Sequence, residues 1–249
     1  MRMRSNSLSI NLLFPVLNER LRLENGIERS MEYLKNNITI PYQLTILDNG
    51  SDDETPEIGM KLAKKYPEVT YVRVGERGVG VAFRKGIELN KCEIVGYMDI
   101  DLSTDLKYLS KTIEMFQRDC QLQYVNGSRF SKESDTKGRK WYRKITSKGL
   151  VVLLKSVFQM KATDAVCGFT WLRKEVAEEL VRESSNDNGW FYTIEFLLRA
   201  ERKGIKIYDM PVEWQEDYNT TVKIWKTIKN YLVRICQLKI AFMKEDKVK

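Results

Sequence analysis

The residues best suited to chemistry in this 249-residue chain are carboxylates, because the other usual agents are missing. There is no histidine, and the four cysteines (Cys92, Cys120, Cys167, Cys236) stand far apart with no CxxC pair. That removes the common zinc sites, Ser-His-Asp triads and Cys-His dyads. Catalysis is left to carboxylates, a base with a shifted pKa, a bound hard cation, or electrostatics. Asp99-Ile100-Asp101 is the sharpest candidate, standing where an apolar run over 94–98 ends. Two carboxylates at i and i+2 beyond a strand can both reach one divalent cation, with water and phosphate oxygens completing its shell. The same stretch also reads as a turn followed by a helix cap from Ser103, Thr104 or Asp105.

Three further features could bind charge. Gly75-Glu76-Arg77-Gly78-Val79-Gly80 can bring backbone amides up to a diphosphate at a helix N-terminus, or form no more than a flexible βα turn. It is neither GxGxxG nor a Walker A sequence, which weakens the case for dinucleotide-binding and NTPase folds. Arg129, behind Gly127-Ser128 after an apolar run, suits an anion, or is no more than a surface arginine. Residues 137–148 carry six basic side chains (Lys137, Arg139, Lys140, Arg143, Lys144, Lys148) and no acidic one. That segment reads as a solvated face or, with Trp141 and Tyr142 inside it, as a loop reaching lipid headgroups.

A frame must bring these clusters together. Hydrophobic periodicity predicts strands over 8–16, 42–47, 69–74, 93–98 and 122–126, with helices over 18–35, 54–66, 80–90 and 105–118 between them. The first helix is expected to open at Asn18 and Glu19. Farther on come helices over 150–158, 174–182 and 191–203 and strands over 168–172 and 206–210. This alternation implies an α/β fold with a mostly parallel sheet and helices on both faces, which binds ligands beyond the carboxyl ends of its strands. Asn18-Glu19, Asp48 to Asp53, Gly75 to Gly80 and Asp99 to Thr104 all follow strands and should meet at one edge. With no repeat or linker, one domain is expected over 1–221, with 222–249 a basic amphipathic helix of that domain or a membrane-surface segment. There Ile224, Ile228, Tyr231, Ile235, Leu238 and Phe242 form one stripe, with Lys223, Lys226, Lys229, Arg234 and Lys239 mostly off it. The stripe suits the core; the basic flanks suit an anionic bilayer.

Lys and Arg outnumber Asp and Glu by 42 to 34, a net charge of +8. Nucleic acid, an anionic membrane surface and phosphorylated substrates would all suit such a protein. The signatures of common nucleic-acid modules are absent, so nucleic acid is not expected as a partner. No run of about 18 apolar residues is present, and residues 1–15 do not resemble a signal peptide. Scattered cysteines suit a reducing compartment. The expected location is cytoplasmic, peripheral on the cytoplasmic face of a membrane.

The order of motifs resembles the inverting glycosyltransferase family 2 that includes dolichyl-phosphate mannose and dolichyl-phosphate glucose synthases. The matching pieces are Phe14 to Glu19, Asp48 to Thr55, Arg77 to Gly80 with Ala82, Arg84 and Gly86, and Asp99-Ile100-Asp101. Gly127 to Phe130, Thr163-Asp164 with Cys167-Gly168-Phe169, Trp190 with Glu195, and Pro211 to Trp214 follow. The resemblance implies a GT-A-type fold and transfer of a hexose from a nucleotide sugar, with a UDP-sugar favoured over GDP-mannose, to a polyprenyl or dolichyl phosphate. It implies that Pro15, Asn18 and Glu19 line the nucleotide pocket, that Asp48 meets the base, and that Gly78, Gly80 and Arg84 serve the donor. Asp99 and Asp101 would hold Mg²⁺ or Mn²⁺ against the diphosphate; Arg129, Arg143 and Ser147 would bind the acceptor phosphate. A small membrane-anchoring subunit is a further partner it allows. Two departures stand out: Asn49 where the family often has Asp, and Val79 where it often has Lys. Were the acceptor a glycan or glycolipid hydroxyl, a base would be needed, and Glu195 is the candidate; the alternative for Glu195 is a helix carboxylate that fixes a loop.

Overall fold

The computed structural model describes residues 8–138, 141–215 and 224–248. Arg139, Lys140, Val222, Lys223 and the expected 221/222 boundary lie outside them.

Strands β1 (Ile10–Val16), β2 (Tyr42–Asp48), β3 (Val69–Arg73) and β4 (Ile94–Met98) alternate with helices α1 (Leu23–Asn37), α2 (Thr55–Lys65) and α3 (Val79–Leu89). Then come α4 (Lys107–Arg118), β5 (Tyr124–Ser128), β6 (Asp135–Lys137), α5 (Trp141–Phe158), β7 (Phe169–Arg173), α6 (Lys174–Glu183) and α7 (Phe191–Arg202). The chain closes with β8 (Ile207–Pro211), β9 (Glu213–Gln215) and α8 (Ile224–Val248). Among the described residues, seven strands form one sheet in the order β3-β2-β1-β4-β7-β5-β8. Central β1 and β4 read as apolar runs because both their faces are covered. Leu23, Ile27, Leu62, Leu109 and Phe116, from α1, α2 and α4, pack with one set of strand residues, and α3, α6, α7 and α8 pack with the other.

The departures from the sequence-based expectation have identifiable causes. Helix α1 opens at Leu23, not Asn18. Asn18 instead takes a left-handed φ of 57° and exchanges two hydrogen bonds with Asp52, from its Nδ2 at 2.7 Å and to its Oδ1 at 2.9 Å. Helix α5 extends the expected 150–158 back to Trp141, a stretch in which lysines and an exposed outer face blur the apolar period. The three-residue strands β6 and β9, too short for a periodic signal, pair with each other and cover the loop after β4. There Thr104 bridges Trp214, and Gln215 N–H donates to the Ser103 carbonyl at 2.8 Å.

The largest departure is one of direction. β7 runs antiparallel to both its neighbours, β4 and β5. Met98 faces Phe169 and Asn126 faces Thr170, so the start of β7 lies beside the carboxyl ends of β4 and β5. The preceding segment, 163–168, is thereby threaded along the edge where ligands of such sheets bind.

Of the stripe on α8, Ile235, Leu238 and Phe242 are buried in the core and Tyr231 is partly so. A different face, with Leu232, Val233, Ile240 and Met243, is exposed. Among the described residues, no helix is long and apolar enough to cross a membrane.

Candidate active site

The carboxyl ends of β1, β2 and β4 carry a bound set of loops. Pro15, whose ring removes a ladder donor, sits where β1 has already left its pairing with β4 at Leu13. Beyond it, Asn18 N–H donates to Ser51 Oγ at 2.9 Å and Glu19 N–H to Thr55 Oγ1 at 2.8 Å, stitching the β1 and β2 loops together. Glu19 is paired with Arg22 at 2.6 Å. Asp48, wholly buried, accepts the Gly50 and Ser51 amides on one oxygen and the Tyr71 hydroxyl, at 2.6 Å, on the other. Its carboxylate holds the turn that carries the rest of the motif. Asn49 explains its departure from the family pattern. Its Nδ2 donates to the Val16 carbonyl at 2.7 Å while its Oδ1 accepts the Gly78 amide at 3.1 Å. An aspartate could accept there but not donate.

Asp99 and Asp101 stand at the end of β4. Tyr97 Oη donates to Asp99 Oδ1 at 3.1 Å, and Asp101 Oδ1 accepts the Ser103 amide at 2.9 Å. Leu102, directly after the pair, takes a left-handed φ of 53°, a strained conformation that keeps the turn tight. Burial, and then the neighbouring Asp101 carboxylate, push the Asp99 carboxyl up to about 7; Tyr97 and Arg129 oppose this, and Glu19 adds to it. A carboxylate so crowded by like charge has reason to bind a hard cation, whose arrival removes the repulsion. Among the described residues no group of three ligating side chains assembles. Two aspartates with the remaining oxygens supplied by phosphate and water fit Mg²⁺ or Mn²⁺ better than a closed protein cage.

Opposite this pair, β7 delivers Gly168. A Cβ on Gly168 would lie 1.9 Å from Asp99 Oδ2. The glycine is the space the carboxylate occupies.

Arg129 sits at the end of β5 with 7% of its side chain exposed. Nε and Nη2 bind Asp164, itself wholly buried, at 2.7 and 3.0 Å, and Trp214 and Phe130 rings flank the guanidinium at 5.5 and 5.6 Å. Burial alone would raise the Asp164 carboxyl, but Arg129 and the Val166 and Arg129 amides outweigh it and hold it low. The pair keeps Arg129 charged and fixed in direction. Asp164 stands in the Thr163-Asp164 motif, and its signal in the sequence is an acid within a segment otherwise short of charge. Arg143 and Ser147 lie one turn apart on α5, both half-buried, while Lys148 Nζ sits 5.9 Å from the Phe130 ring.

The remaining candidates are engaged with neighbouring segments of the chain. Gly78 has φ 135°, Gly80 donates its amide to the Asn188 carbonyl at 2.9 Å, and Arg84 donates to the Asp187 carbonyl and Asn188 Oδ1, each at 2.6 Å. Glu195, 2% exposed, accepts the Ser185 amide at 2.8 Å and Arg199 Nε at 2.8 Å on one oxygen and the Ser185 hydroxyl on the other. Of its two sequence readings, this geometry is that of the loop anchor.

Asp99 and Asp101 follow β4 and the buried Arg129 follows β5, with antiparallel β7 between the two strands. The glycosyl transferase family 2 model matches residues 12–181, more than half of the chain. The chain belongs to that family. This glycosyltransferase is 28% identical over 223 residues to glycosyltransferase AglD of Haloferax volcanii, covering 89% of the chain but 35% of that protein. It is 29% identical to a dolichyl-phosphate beta-glucosyltransferase of Trichomonas vaginalis (90% of the chain, 71% of the relative). It is 28% identical to a dolichol-phosphate mannosyltransferase of Pyrococcus furiosus (93% and 64%). The chain therefore spans about a third of the first relative and about two thirds of the other two. In fold it is similar to glucosyl-3-phosphoglycerate synthase of Mycobacterium tuberculosis bound to UDP, with TM-score 0.71 and 16% identity over 94% of this chain and 80% of that one. The same enzyme with Mn²⁺, UDP and glucosyl-3-phosphoglycerate matches with TM-score 0.69, 16% identity, and the same coverage. The glycosyltransferase fold is thus GT-A.

Proposed function

We propose that this glycosyltransferase moves a hexose from a nucleotide sugar, a UDP-sugar in preference to GDP-mannose, to a polyprenyl phosphate at a membrane surface. The observation that carries the reading is the approach of the Asp99–Asp101 pair and the buried Arg129–Asp164 pair at one sheet edge. The relatives named for dolichyl-phosphate acceptors and the structural neighbour bound to UDP and Mn²⁺ support it.

The division of labour follows from charge. Asp99 and Asp101 would hold Mg²⁺ or Mn²⁺, which supplies Lewis-acid stabilisation of the negative charge growing on the leaving nucleoside diphosphate. Pro15, Asn18, Glu19 and the Asp48 turn would line the nucleotide end of the pocket, with the loop of Gly78 and Gly80, and Arg84 behind it, on the diphosphate side. A phosphate monoester is already anionic near neutral pH, so it needs positioning more than a general base. Arg129 fits that task. Asp164 engages its Nε and Nη2 and leaves Nη1 outside the pair; Arg143 and Ser147 of α5 would join it in binding the acceptor phosphate. In-line attack on the anomeric carbon then inverts it as the nucleoside diphosphate departs. No described carboxylate is needed as a base, which agrees with the anchoring hydrogen bonds of Glu195.

The membrane reading draws on two helices that touch through Phe158 and Phe242, with ring centroids 5.7 Å apart. On α5, Trp141, Ile145 and Val152 are exposed by 73, 61 and 64%, at a spacing that keeps them on one side, and Lys144, Lys148 and Lys155 are exposed near them. On α8, Leu232, Val233, Ile240 and Met243 are exposed beside Lys229, Lys239 and Lys244. Apolar stripes rimmed by lysine suit an anionic bilayer surface.

Reciprocal variants distinguish a phosphate from a hydroxyl acceptor. With a phosphate acceptor, Arg143→Ala weakens transfer strongly and Glu195→Gln spares it; the opposite pattern would move the acceptor to a hydroxyl.

A further inference from the structure

The segment 185–190, between α6 and α7, is held from the C-terminal helix on one side and grips the glycine-rich loop on the other. From α8, Arg234 Nε reaches Asp187 Oδ2 at 2.7 Å, and Asp187 is 4% exposed. Arg199 reaches Glu245 of the same helix at 3.0 Å while holding Glu195, which in turn fixes Ser185. The opposite side of the segment is committed to the loop between β3 and α3. Asn188 accepts the Gly80 amide, accepts Arg84 on its side chain, and donates from Nδ2 to Glu76 Oε2 at 2.6 Å. The fit leaves no room for a side chain: a Cβ on Gly78 would lie 1.9 Å from the Asn188 carbonyl oxygen, and one on Gly80 would lie 2.3 Å from that of Asp187. Gly78 continues the chain of contacts through Asn49 to the Val16 carbonyl at the end of β1. An unbroken series of hydrogen bonds and one ion pair therefore runs from α8 to the loops at the carboxyl end of the sheet.

We infer that Asp187 and Asn188 are positioning residues for the donor pocket, through which Arg234 of α8 holds the Gly75–Gly80 loop in its binding shape. The inference rests on the reading of that loop as part of the donor site. A glycine-rich loop free in solution would lose much backbone freedom on meeting a diphosphate. Holding it beforehand removes that cost from binding. Val79, standing where relatives often place a cation, makes the shape of the loop more important here. The segment also does what its sequence does not announce: residues of the last helix act on the first half of the fold.

The test uses the full chain and two readouts. Hydrogen exchange of the peptide covering Gly75–Gly80 is followed without nucleotide or metal, and UDP affinity is measured with Mn²⁺. Arg234→Gln and Asn188→Ala are expected to speed exchange of that loop and weaken UDP binding about tenfold, the scale of one charge-assisted contact. Arg234→Lys recovers most of the affinity. The double variant is no worse than the worse single one, because both act in one series. Arg202→Gln, which removes another tie between α7 and α8 without touching 185–190, leaves both readouts at wild-type values. Thermal melts ensure that folded proteins are compared. UDP binding by the wild type that Arg234→Gln and Asn188→Ala leave within twofold would overturn this inference alone. A wild type that binds no nucleoside diphosphate, even as the variants loosen the loop, would overturn the donor reading and the positioning role with it.

Discussion

Gly168→Ala adds one carbon at the most crowded point of the site. That carbon would stand 1.9 Å from Asp99 Oδ2 and 2.4 Å from its Cγ, where ordinary contact begins at 3.4 Å. The carboxylate must therefore retreat by about 1.5 Å (3.4 minus 1.9), a shift that costs it the Tyr97 hydrogen bond or its rotamer. Gly168 does not lie among the positive-φ glycines, so its backbone accepts alanine and the damage stays local. The stability lost is about 1–3 kcal/mol, a few degrees of Tm in a chain of this size. A misplacement of about 1 Å at the chemistry, by contrast, can cost on the order of a hundredfold in rate. Release of nucleoside diphosphate at several Mn²⁺ concentrations, beside a thermal melt, gives both quantities. Turnover should fall about a hundredfold with a weakened metal dependence while the protein stays folded. Wild-type turnover with an unchanged Mn²⁺ dependence would refute the placement of Asp99 against Gly168.

Glu195→Gln should keep at least about half the wild-type turnover while costing roughly 2–3 kcal/mol, read from urea unfolding, because it weakens the anchors to Ser185 and Arg199; a hundredfold loss of turnover in a folded variant would restore the base reading. Asp164→Asn leaves Arg129 buried without its counter-charge and should destabilise by roughly 3 kcal/mol at pH 7. Because the folded state depresses the Asp164 pKa, the stabilisation is complete above the ordinary carboxylate range and is lost as pH falls through the depressed value. The urea-midpoint gap between wild type and Asp164→Asn should therefore narrow towards pH 2.5; an equal gap at pH 7 and 2.5 would contradict the ion-pair account. Ile145→Asp with Ile240→Asp should lower co-sedimentation with phosphatidylserine-containing vesicles at least fivefold without lowering Tm, since both side chains are more than half exposed; unchanged vesicle binding would remove α5 and α8 from the membrane reading.

The parallel half of the fold was legible because β1 and β4 are covered on both faces and so read as apolar runs, and because every polar cluster followed a strand. Direction was not. A period of two is the same in either sense, so nothing local announced that β7 turns back and brings Gly168 against Asp99. Helix α5 was foreshortened because Trp141 and Ile145 face outward among lysines, the reverse of the pattern that marks a packed helix. Asn18 looks like a cap by residue type, but its side chain is engaged by Asp52, thirty-four residues away. The two readings of Glu195 could be separated only by Ser185 and Arg199, which are its partners in space. On α8 the periodic stripe correctly marked the buried face, and the exposed stripe beside it lacked the regular spacing that would have drawn notice.

The most direct test of a metal-dependent transfer to a lipid phosphate is release of nucleoside diphosphate from UDP-glucose, other UDP-sugars and GDP-mannose. Each donor is run with Mn²⁺ or with chelator, with and without a short polyprenyl phosphate, beside Asp101→Ala. The account predicts release from a UDP-sugar that needs both the lipid and the metal and disappears in Asp101→Ala. Release that ignores chelator and survives Asp101→Ala, or no release from any donor, would contradict it.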